Sequence, residues 1–359
     1  MGIVSEQFPE ERDRMVGLFA SIFPIGGIIG PNLGGLLVEH ASWRMVFLVN
    51  VPIGVLILAA LLGRATESTG TGERRIDLGG AAMLAAGIAA LLAALTLLGN
   101  DPAFGSTPAF WSLLGGSVVL LLAFVWQETR TPEPVVDLHL VARHPFLAIN
   151  TYNFLFGACV FGFSAFIPYY AQVQFGMSPS QSGAVLAPRS LAMVATSTVA
   201  SLYLIRWGYR LPMLLGLGCW VVTLFILSQG WSSWTISTLQ VGAFWLVALE
   251  VALSGIGSGL AAPSSNNASL DLLPQRAALI TGIRGMFRSV GGVVGTALIV
   301  LVLQFSPDRA TGLRLVFGAM AVILVAVMPL TFAIPDSARR RRRELAQRAE
   351  RIRGSLGAD

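Results

Sequence analysis

Long apolar runs alternate with short polar connections along the whole chain. We count ten apolar windows, at roughly 15–38, 45–64, 78–98, 109–127, 146–169, 182–204, 211–229, 239–262, 277–303 and 313–334. A helix that crosses the hydrocarbon core of a bilayer needs about 20 apolar residues, which is close to the length of each window. The strands of a membrane barrel would be about ten residues long and would alternate polar and apolar side chains. The pattern therefore predicts an all-α polytopic membrane protein with about ten transmembrane helices.

The polar connections divide these predicted helices into blocks. Residues 1–64 hold two spans joined by the short turn "EHASWR", and residues 65–145 hold two Ala/Leu-rich spans with a polar linker on either side. Residues 146–335 hold six spans with many polar and small residues, and residues 336–359 form a basic tail. Because polar faces inside a membrane mark pathways and featureless spans usually face lipid, we expect the six-span block and the first span to carry the function.

The basic residues predict the orientation. All 24 of them are Arg, and eighteen lie on the side of the membrane that holds both termini, whereas Arg44, Arg309 and Arg314 lie on the other. By the positive-inside rule, both termini are expected in the cytoplasm, with the protein in the plasma (inner) membrane. The net charge of +5 then reflects topology, and no nucleic-acid partner is expected. The Arg-rich tail is expected to meet anionic inner-leaflet headgroups.

Cysteine and histidine give no sign of a catalytic residue, a metal site or a cofactor. Cys159 and Cys219 lie inside predicted spans, where free cysteine usually behaves as a small hydrophobe. His40, His139 and His144 are scattered at span ends and do not form a ligand set.

Glu250 is the one carboxylate deep within a predicted span. A charge at the centre of a bilayer costs roughly 2.5–3.5 kcal/mol on insertion scales, so such a residue is a functional candidate. Glu250, Ser254 and Ser258 share a helix face at four-residue spacing. We interpret Glu250 as a site for a proton or a cationic substrate; the alternative is a structural partner for a buried Arg.

Three arginines lie within predicted spans: Arg189, Arg284 and Arg288. Arg284 and Arg288 share a face with Thr281, Gly291 and Gly295, which combines two charges with small residues suited to close packing. The alternative for Arg284 and Arg189 is that their side chains snorkel toward the headgroups.

Other polar and aromatic residues are candidates for a substrate cavity: Asn150, Asn153, Phe154, Trp245 and Ser254. The amides share a face with Gly157 and Ser164, and they either line a cavity or tie helices together at about 0.6 kcal/mol each. The aromatic rings, with Trp220, either stack on flat lipophilic cations or serve as packing and interfacial residues.

Five glycines and a proline interrupt the first span in "IGGIIGPNLGGLL". They form two adjacent ridges, with Gly26, Gly30 and Gly34 on one and Gly27, Pro31 and Gly35 on the other. Ridges without side chains allow another helix to approach to backbone contact, and a proline bends the span. We predict a helix–helix seam here, which is either a gate or an ordinary close-packed pair.

The stretch "FPEERDRMVGLFASIFPIGGIIGPNLGGLLVEHASWRMVFLVNVPIG" resembles the fifth and sixth spans of the 14-span drug:proton antiporters of the major facilitator superfamily. Gly26 to Gly35 match the antiporter signature, "SWRMVFLVNVPIG" matches the segment after it, "RRIDLGG" is similar to the entry of the seventh span, and "FRSVGGVVGTAL" to the thirteenth. The resemblance implies multidrug efflux driven by the proton gradient, with Glu250 on a cavity-lining twelfth span. It also implies a gating role for Arg288 and an interface between the two halves at the glycine seam.

The same resemblance implies that the chain holds spans 5–14 and lacks the first four, together with the family's charged motifs for coupling and gating. Two alternatives therefore stand beside the antiporter interpretation. One is a truncated remnant of such a transporter that does not transport. The other is a membrane-embedded enzyme, for which the sequence offers neither a nucleophile–base pair nor a metal cluster.

Overall fold

The structure is a computed structural model. It describes residues 26, 29–64, 77–131, 136, 138–231, 234–236, 239–273 and 277–336. The expectations for the basic tail, for the linker after residue 64 and for Gly27 lie outside this part of the chain.

The described residues are almost entirely helical. Before the six-span block lie α1 (29–40), α2 (Trp43–Leu48), α3 (Asn50–Arg64), α4 (Leu78–Asn100), α5 (Pro108–Glu128) and α6 (Leu138–Ala142). The block contains α7 (Phe146–Phe175), α8 (Pro179–Ala184), α9 (Ala187–Trp207), α10 (Arg210–Gln229), α11 (Ala243–Leu270), α12 (Ala277–Phe305), α13 (Arg309–Val327) and α14 (Leu330–Ala333). Between α10 and α11, strands β1 (Trp234–Ile236) and β2 (Leu239–Val241) pair antiparallel.

Nine helical segments of the described chain are long and apolar enough to cross a membrane. They coincide with the nine windows predicted from residue 45 onward, so the all-helical polytopic fold is confirmed. Of the first window, only its second half is described, and it is helical. Local chemistry sets several of the helix ends: Ser178 and Gln181 form a capping box at the start of α8, and Gly176 and Gly230 take left-handed conformations after α7 and α10.

The window at 239–262 was wrong at both ends. Residues 239–241 pair as β2, and the helix continues through Pro263 to Leu270. The continuation is polar, with the sequence "SSNNASL", yet its side chains bond back to the helix: Ser264 Oγ donates to the Leu260 carbonyl, and Asn267 Nδ2 to the Pro263 carbonyl. Polar groups satisfied in this way do not interrupt a helix, although they end the apolar signal on which the window depended.

The core of the six-span block contains aromatic rings that pack edge to face. Trp220 on α10 is fully buried and meets Phe163 of α7 edge-on, with ring centroids 5.0 Å apart. Phe317 of α13 meets Tyr170 edge-on at 5.1 Å, and the Tyr170 hydroxyl donates to the Leu227 carbonyl at 2.8 Å. Edge-to-face pairs at these distances are favourable beyond their buried area, so the rings fix how α7, α10 and α13 cross.

Helices α4 and α5 form a hairpin beside this block. The Ser117 hydroxyl on α5 donates to the Gly87 carbonyl on α4 at 2.8 Å, and α4 packs against α12. Large apolar side chains such as Trp111 and Leu122 point away from the protein. This agrees with the expectation that the two Ala/Leu-rich spans face lipid.

Candidate functional site

The polar residues singled out in the six-span block lie on four helices. Asn150, Asn153 and Phe154 are on α7, and Arg189 is on α9. Glu250, Ser254 and Trp245 are on α11, and the other two arginines are on α12. Helix α7 packs against α12, and α9 packs against α11, so the candidates lie on two packed helix pairs.

Glu250 lies two turns into α11, and its side chain is 9% exposed. Its backbone carbonyl accepts from the Thr223 hydroxyl at 3.2 Å. Among the residues that the structure describes, its carboxylate has neither a hydrogen bond nor an ion pair, although it is within electrostatic range of the Tyr170 hydroxyl. The alternative role, as partner of a buried Arg, therefore has no support in the described residues.

The three arginines are half-buried, and their guanidinium Nε atoms are buried without a partner in the described part of the chain. The Arg189 guanidinium lies over the Trp220 ring at 5.6 Å, and that of Arg288 over the Phe161 ring at 5.3 Å. The ring contacts show that Arg189 and Arg288 pack against protein side chains, whereas snorkelling of Arg284 and Arg189 stays a prediction.

Tyr152 is a further candidate, which the sequence did not single out. Its side chain is 1% exposed, and its hydroxyl is buried with no hydrogen-bond partner among the described residues. The hydroxyl is within electrostatic range of Arg284 and Arg288. Its sequence position in the first two turns of α7 gave no signal, because a lone Tyr in a span is usually a packing residue.

The amides and hydroxyls divide into two groups. Asn153 Nδ2 donates to the Ile149 carbonyl at 2.7 Å, and the Ser254 hydroxyl donates to the Val251 carbonyl at 2.6 Å, so both are satisfied within their own helices. Asn150 differs, because it lines a small cavity together with Ser269 and Arg284. Of the predicted cavity amides, the structure therefore places only Asn150 at an internal space.

The aromatic candidates do not come together. Trp245 lies in the first turn of α11 and is 65% exposed, in a position typical of an interfacial anchor. Trp220 is fully buried, and its Nε1 donates to the Ser258 hydroxyl at 3.2 Å. The backbone of Phe154 contacts α12 at Gly291. A stacking platform that joins these rings is not present.

The glycine seam contacts the six-span block through one of its two ridges. A Cβ on Gly35 would lie 2.6 Å from the Pro179 carbonyl oxygen, and a Cβ on Gly183 would collide with the Pro31 carbonyl. Gly26, Gly30 and Gly34 have no described atom within 4 Å of such a Cβ. The ridge of Pro31 and Gly35 therefore forms the backbone contact between α1 and α8, and a role for the other ridge stays a prediction.

Glu39 extends this contact and was missed in the sequence. It follows Gly35 by four residues on the same helix face. Its Oε2 accepts from the Ser180 N–H at 2.9 Å and from the Ser178 hydroxyl at 3.3 Å, at the first turn of α8. The Ser180 side chain, then the Ser180 N–H, and to a smaller extent the Ser178 hydroxyl hold the pKa of Glu39 below its ordinary value. A carboxylate at a helix N-terminus is favourable, because it meets unpaired N–H groups and the positive end of the helix dipole.

No group of three or more His, Cys, Asp or Glu side chains comes together in the ranges that the structure describes. The chemistry of the candidates consists of one buried carboxylate, three guanidinium groups and several hydroxyls. Such a set can bind protons and charged or polar small molecules inside a membrane.

The sequence comparisons agree with this architecture. The family model described as Major Facilitator Superfamily matches residues 1–227 and 149–356. The multidrug resistance protein Stp of Mycobacterium tuberculosis is 32% identical over 311 residues, which cover 84% of this chain and 55% of that protein. The multidrug transporter protein MdtP of Bacillus subtilis is 26% identical over 300 residues, covering 82% and 53%. The methylenomycin A resistance protein of Streptomyces coelicolor is 28% identical over 322 residues, covering 88% and 65%.

The chain thus spans about half the length of the first two of these curated relatives. Among solved structures, one described as giving structural insights into substrate recognition in proton dependent oligopeptide transporters matches 92% of this chain and 72% of its own. Its TM-score is 0.52 at 14% identity, which supports the shared fold alone. The family match covers both halves of the sequence, and the chain, a multi-pass membrane protein, belongs to the Major Facilitator Superfamily.

Proposed function

We propose that this protein exports lipophilic small molecules, drugs among them, from the cytoplasm across the plasma membrane in exchange for protons. The relatives named above include a multidrug resistance protein that is 32% identical over most of this chain, and this supports export of drugs. Antiport with protons requires in addition a group that binds a proton inside the membrane.

The observation that carries the proposal is Glu250, a buried carboxylate with no hydrogen bond or ion pair among the described residues. A carboxylate that is tied to an arginine serves the fold, whereas one without such a tie is available to a proton. One proton moving inward through 100 mV releases about 2.3 kcal/mol, which sustains a concentration ratio of tens for the exported molecule.

The contact between α1 and α8 supports alternating access. Transporters of this architecture rock one bundle against the other around a central site, and they need a surface that seals on one side. At Gly35 and Gly183 the two backbones touch, and Glu39 closes the outer end with its bonds to Ser180. We therefore assign this contact as the outer seal of the inward-open state.

The test is accumulation of a panel of lipophilic dyes and antibiotics in cells that express the 359-residue chain. Expressing cells should accumulate at least one compound several-fold less than control cells, and a protonophore should abolish the difference. Glu250→Gln should abolish it as well, because the amide cannot release a proton. Ser258→Ala is the matched control on the same face, since it removes only a hydrogen bond from Trp220.

Lower accumulation that persists in the protonophore would contradict proton coupling and leave export standing. Equal accumulation in expressing and control cells for the whole panel, with the protein present in the membrane, would contradict export by this chain. That second outcome is the one expected of a remnant that does not transport.

A further inference from the structure

The three membrane arginines lie at successive depths in the six-span block. Arg284 is seven residues and Arg288 eleven residues into α12, so at about 1.5 Å per residue they lie roughly 10 and 16 Å above its inner end. Arg189 lies ten residues after the outer start of α8, roughly 15 Å below that end. Arg288 and Arg189 are therefore near the membrane centre, and Arg284 is one turn closer to the cytoplasm.

Arg189 and Arg288 are held in the same way by two helix pairs. A Cβ on Gly157 of α7 would collide with the Arg288 carbonyl of α12, and a Cβ on Gly255 of α11 would collide with the Arg189 carbonyl of α9. The first span of the block thus packs on the fifth, and the fourth packs on the second. This is the relation expected of two three-span repeats, and it fixes both arginine backbones at helix crossings.

The charges of these arginines are not neutralised within the described structure. Arg189, Arg284 and Arg288 have no ion pair or hydrogen bond there, and each Nε is buried without a partner. Arg288 is within electrostatic range of Arg189 and of Arg284, so a like charge acts on each of those two residues. Glu250 is not within such range of any of them.

Half-buried guanidinium groups of like charge inside a membrane are costly, and a bound anion relieves that cost by giving each a charge-assisted hydrogen bond. The neighbouring groups suit an organic anion. The Tyr152 hydroxyl is a buried, unpartnered donor among the described residues, and the rings of Phe161, Phe163 and Trp220 lie within 6 Å of the arginine heads.

We propose that Arg189, Arg284 and Arg288, here called the arginine wall, bind the anionic head of the exported molecule, whose class is an amphiphilic carboxylate, sulfonate or phosphate. Arg284 meets the anion on the cytoplasmic side, and Arg288 and Arg189 hold it near the membrane centre. That the bound molecule is exported rests on the proposed function, whereas binding of the anion does not depend on transport. It is opposite in sign to the cationic substrate expected from Glu250 alone.

The experiment measures equilibrium binding of two dyes to the purified 359-residue chain in detergent. Fluorescein and rhodamine 6G share a xanthene ring system and carry opposite charges. Fluorescence anisotropy, corrected with protein-free micelles, should give tighter binding for fluorescein. Arg288→Gln and Arg189→Gln should each weaken fluorescein binding by about tenfold, the size of a lost hydrogen bond to a charge, and should leave or strengthen rhodamine binding.

Two further variants exclude trivial explanations. Arg130→Gln removes the same charge from an arginine that stacks on Trp126 at the inner end of α5, and it should leave both affinities unchanged. Arg288→Lys keeps the charge without the forked geometry and should recover part of the fluorescein affinity. Each protein is first checked for a single gel-filtration peak and an unchanged helical circular dichroism spectrum.

Fluorescein affinity that stays within twofold in both Gln variants would overturn the arginine wall. So would tighter binding of rhodamine 6G by the unaltered chain. Because binding is measured without a gradient, absence of export in cells leaves this test unaffected, and failure here leaves proton-coupled export of uncharged or cationic compounds standing.

Discussion

Single glycines decide where the arginine backbones lie. Gly157 and Gly255 allow α12 and α9 to approach so closely that the carbonyls of Arg288 and Arg189 occupy the space of a side chain. In a membrane, such contacts hold helices together through van der Waals packing, because lipid is as apolar as the side chains and gives no hydrophobic drive. A methyl group at either glycine would push an arginine away from its neighbours.

A pair of Gly→Ala substitutions tests this at residue scale. Gly157→Ala should destabilise the protein by about 1–3 kcal/mol, the usual cost of overpacking. Gly218→Ala on α10 is the control, because no described atom lies within 4 Å of its added Cβ and alanine favours a helix. Thermal unfolding in detergent, followed by gel filtration after heating, should give a lower midpoint for Gly157→Ala and an unchanged or higher one for Gly218→Ala. Equal midpoints would mean that the backbone contact is not tight.

The sequence predicts some of the candidate site residues and misses others. Glu250 could be found because one carboxylate in an apolar window is visible by itself. Glu39 and Tyr152 could not, because their importance comes from partners far away in the sequence: Ser180 for the first, and Arg284 and Arg288 for the second. Pairing of distant helices leaves no periodic signal in the chain.

At the scale of elements, α1 and α8 make the contact on which the proposed seal depends. Backbones meet at Gly35 and Gly183, and Glu39 binds the N-terminus of α8 through Ser180. The antiporter signature predicted a seam but not its partner helix. It also gave both ridges equal weight, whereas Pro31 and Gly35 make the described contact.

Glu39→Gln should loosen this contact. The pKa of Glu39 lies below its ordinary value, so the stabilisation is present above that ordinary value and is lost as the outer pH falls through the lowered pKa. The measurement uses spin labels at Ile57 on α3 and Val222 on α10, in a protein without native cysteines. Double electron–electron resonance then gives the distance between these two labels. The Gln variant at neutral pH, and the unaltered residue in acid, should both broaden or lengthen the distance distribution.

The control Glu128→Gln lies on α5, away from the contact. A distribution that neither Glu39→Gln nor acid alters would remove Glu39 from the seal.

Helix positions were largely predictable, and helix ends were not. Apolar windows locate membrane helices because lipid leaves no other place for unbonded backbone groups. The polar end of α11 has no such constraint, and its extension to Leu270 depends on side chains that bond to their own helix. Strand β2 lies inside the predicted apolar window 239–262, because apolar composition alone does not separate a short strand from the start of a helix.

At the scale of the whole molecule, the six-span block combines one buried carboxylate, Glu250 near the start of α11, with three arginines on α9 and α12. In the proposed exchange, the proton binds at Glu250 and the organic anion binds at the arginine wall. Family membership is shown by sequence, whereas exchange is a property that only a flux measurement can establish.

Proton release driven by a dye gradient measures that property most directly. The purified 359-residue chain is reconstituted in liposomes, and an electrode follows the pH of a weakly buffered medium after addition of fluorescein or rhodamine 6G at matched pH. For at least one dye, the medium should acidify in proportion to dye uptake, because each molecule that enters expels protons. Glu250→Gln should abolish the acidification. Dye uptake without proton release, or no difference from protein-free liposomes for either dye, would contradict proton-coupled exchange by this chain.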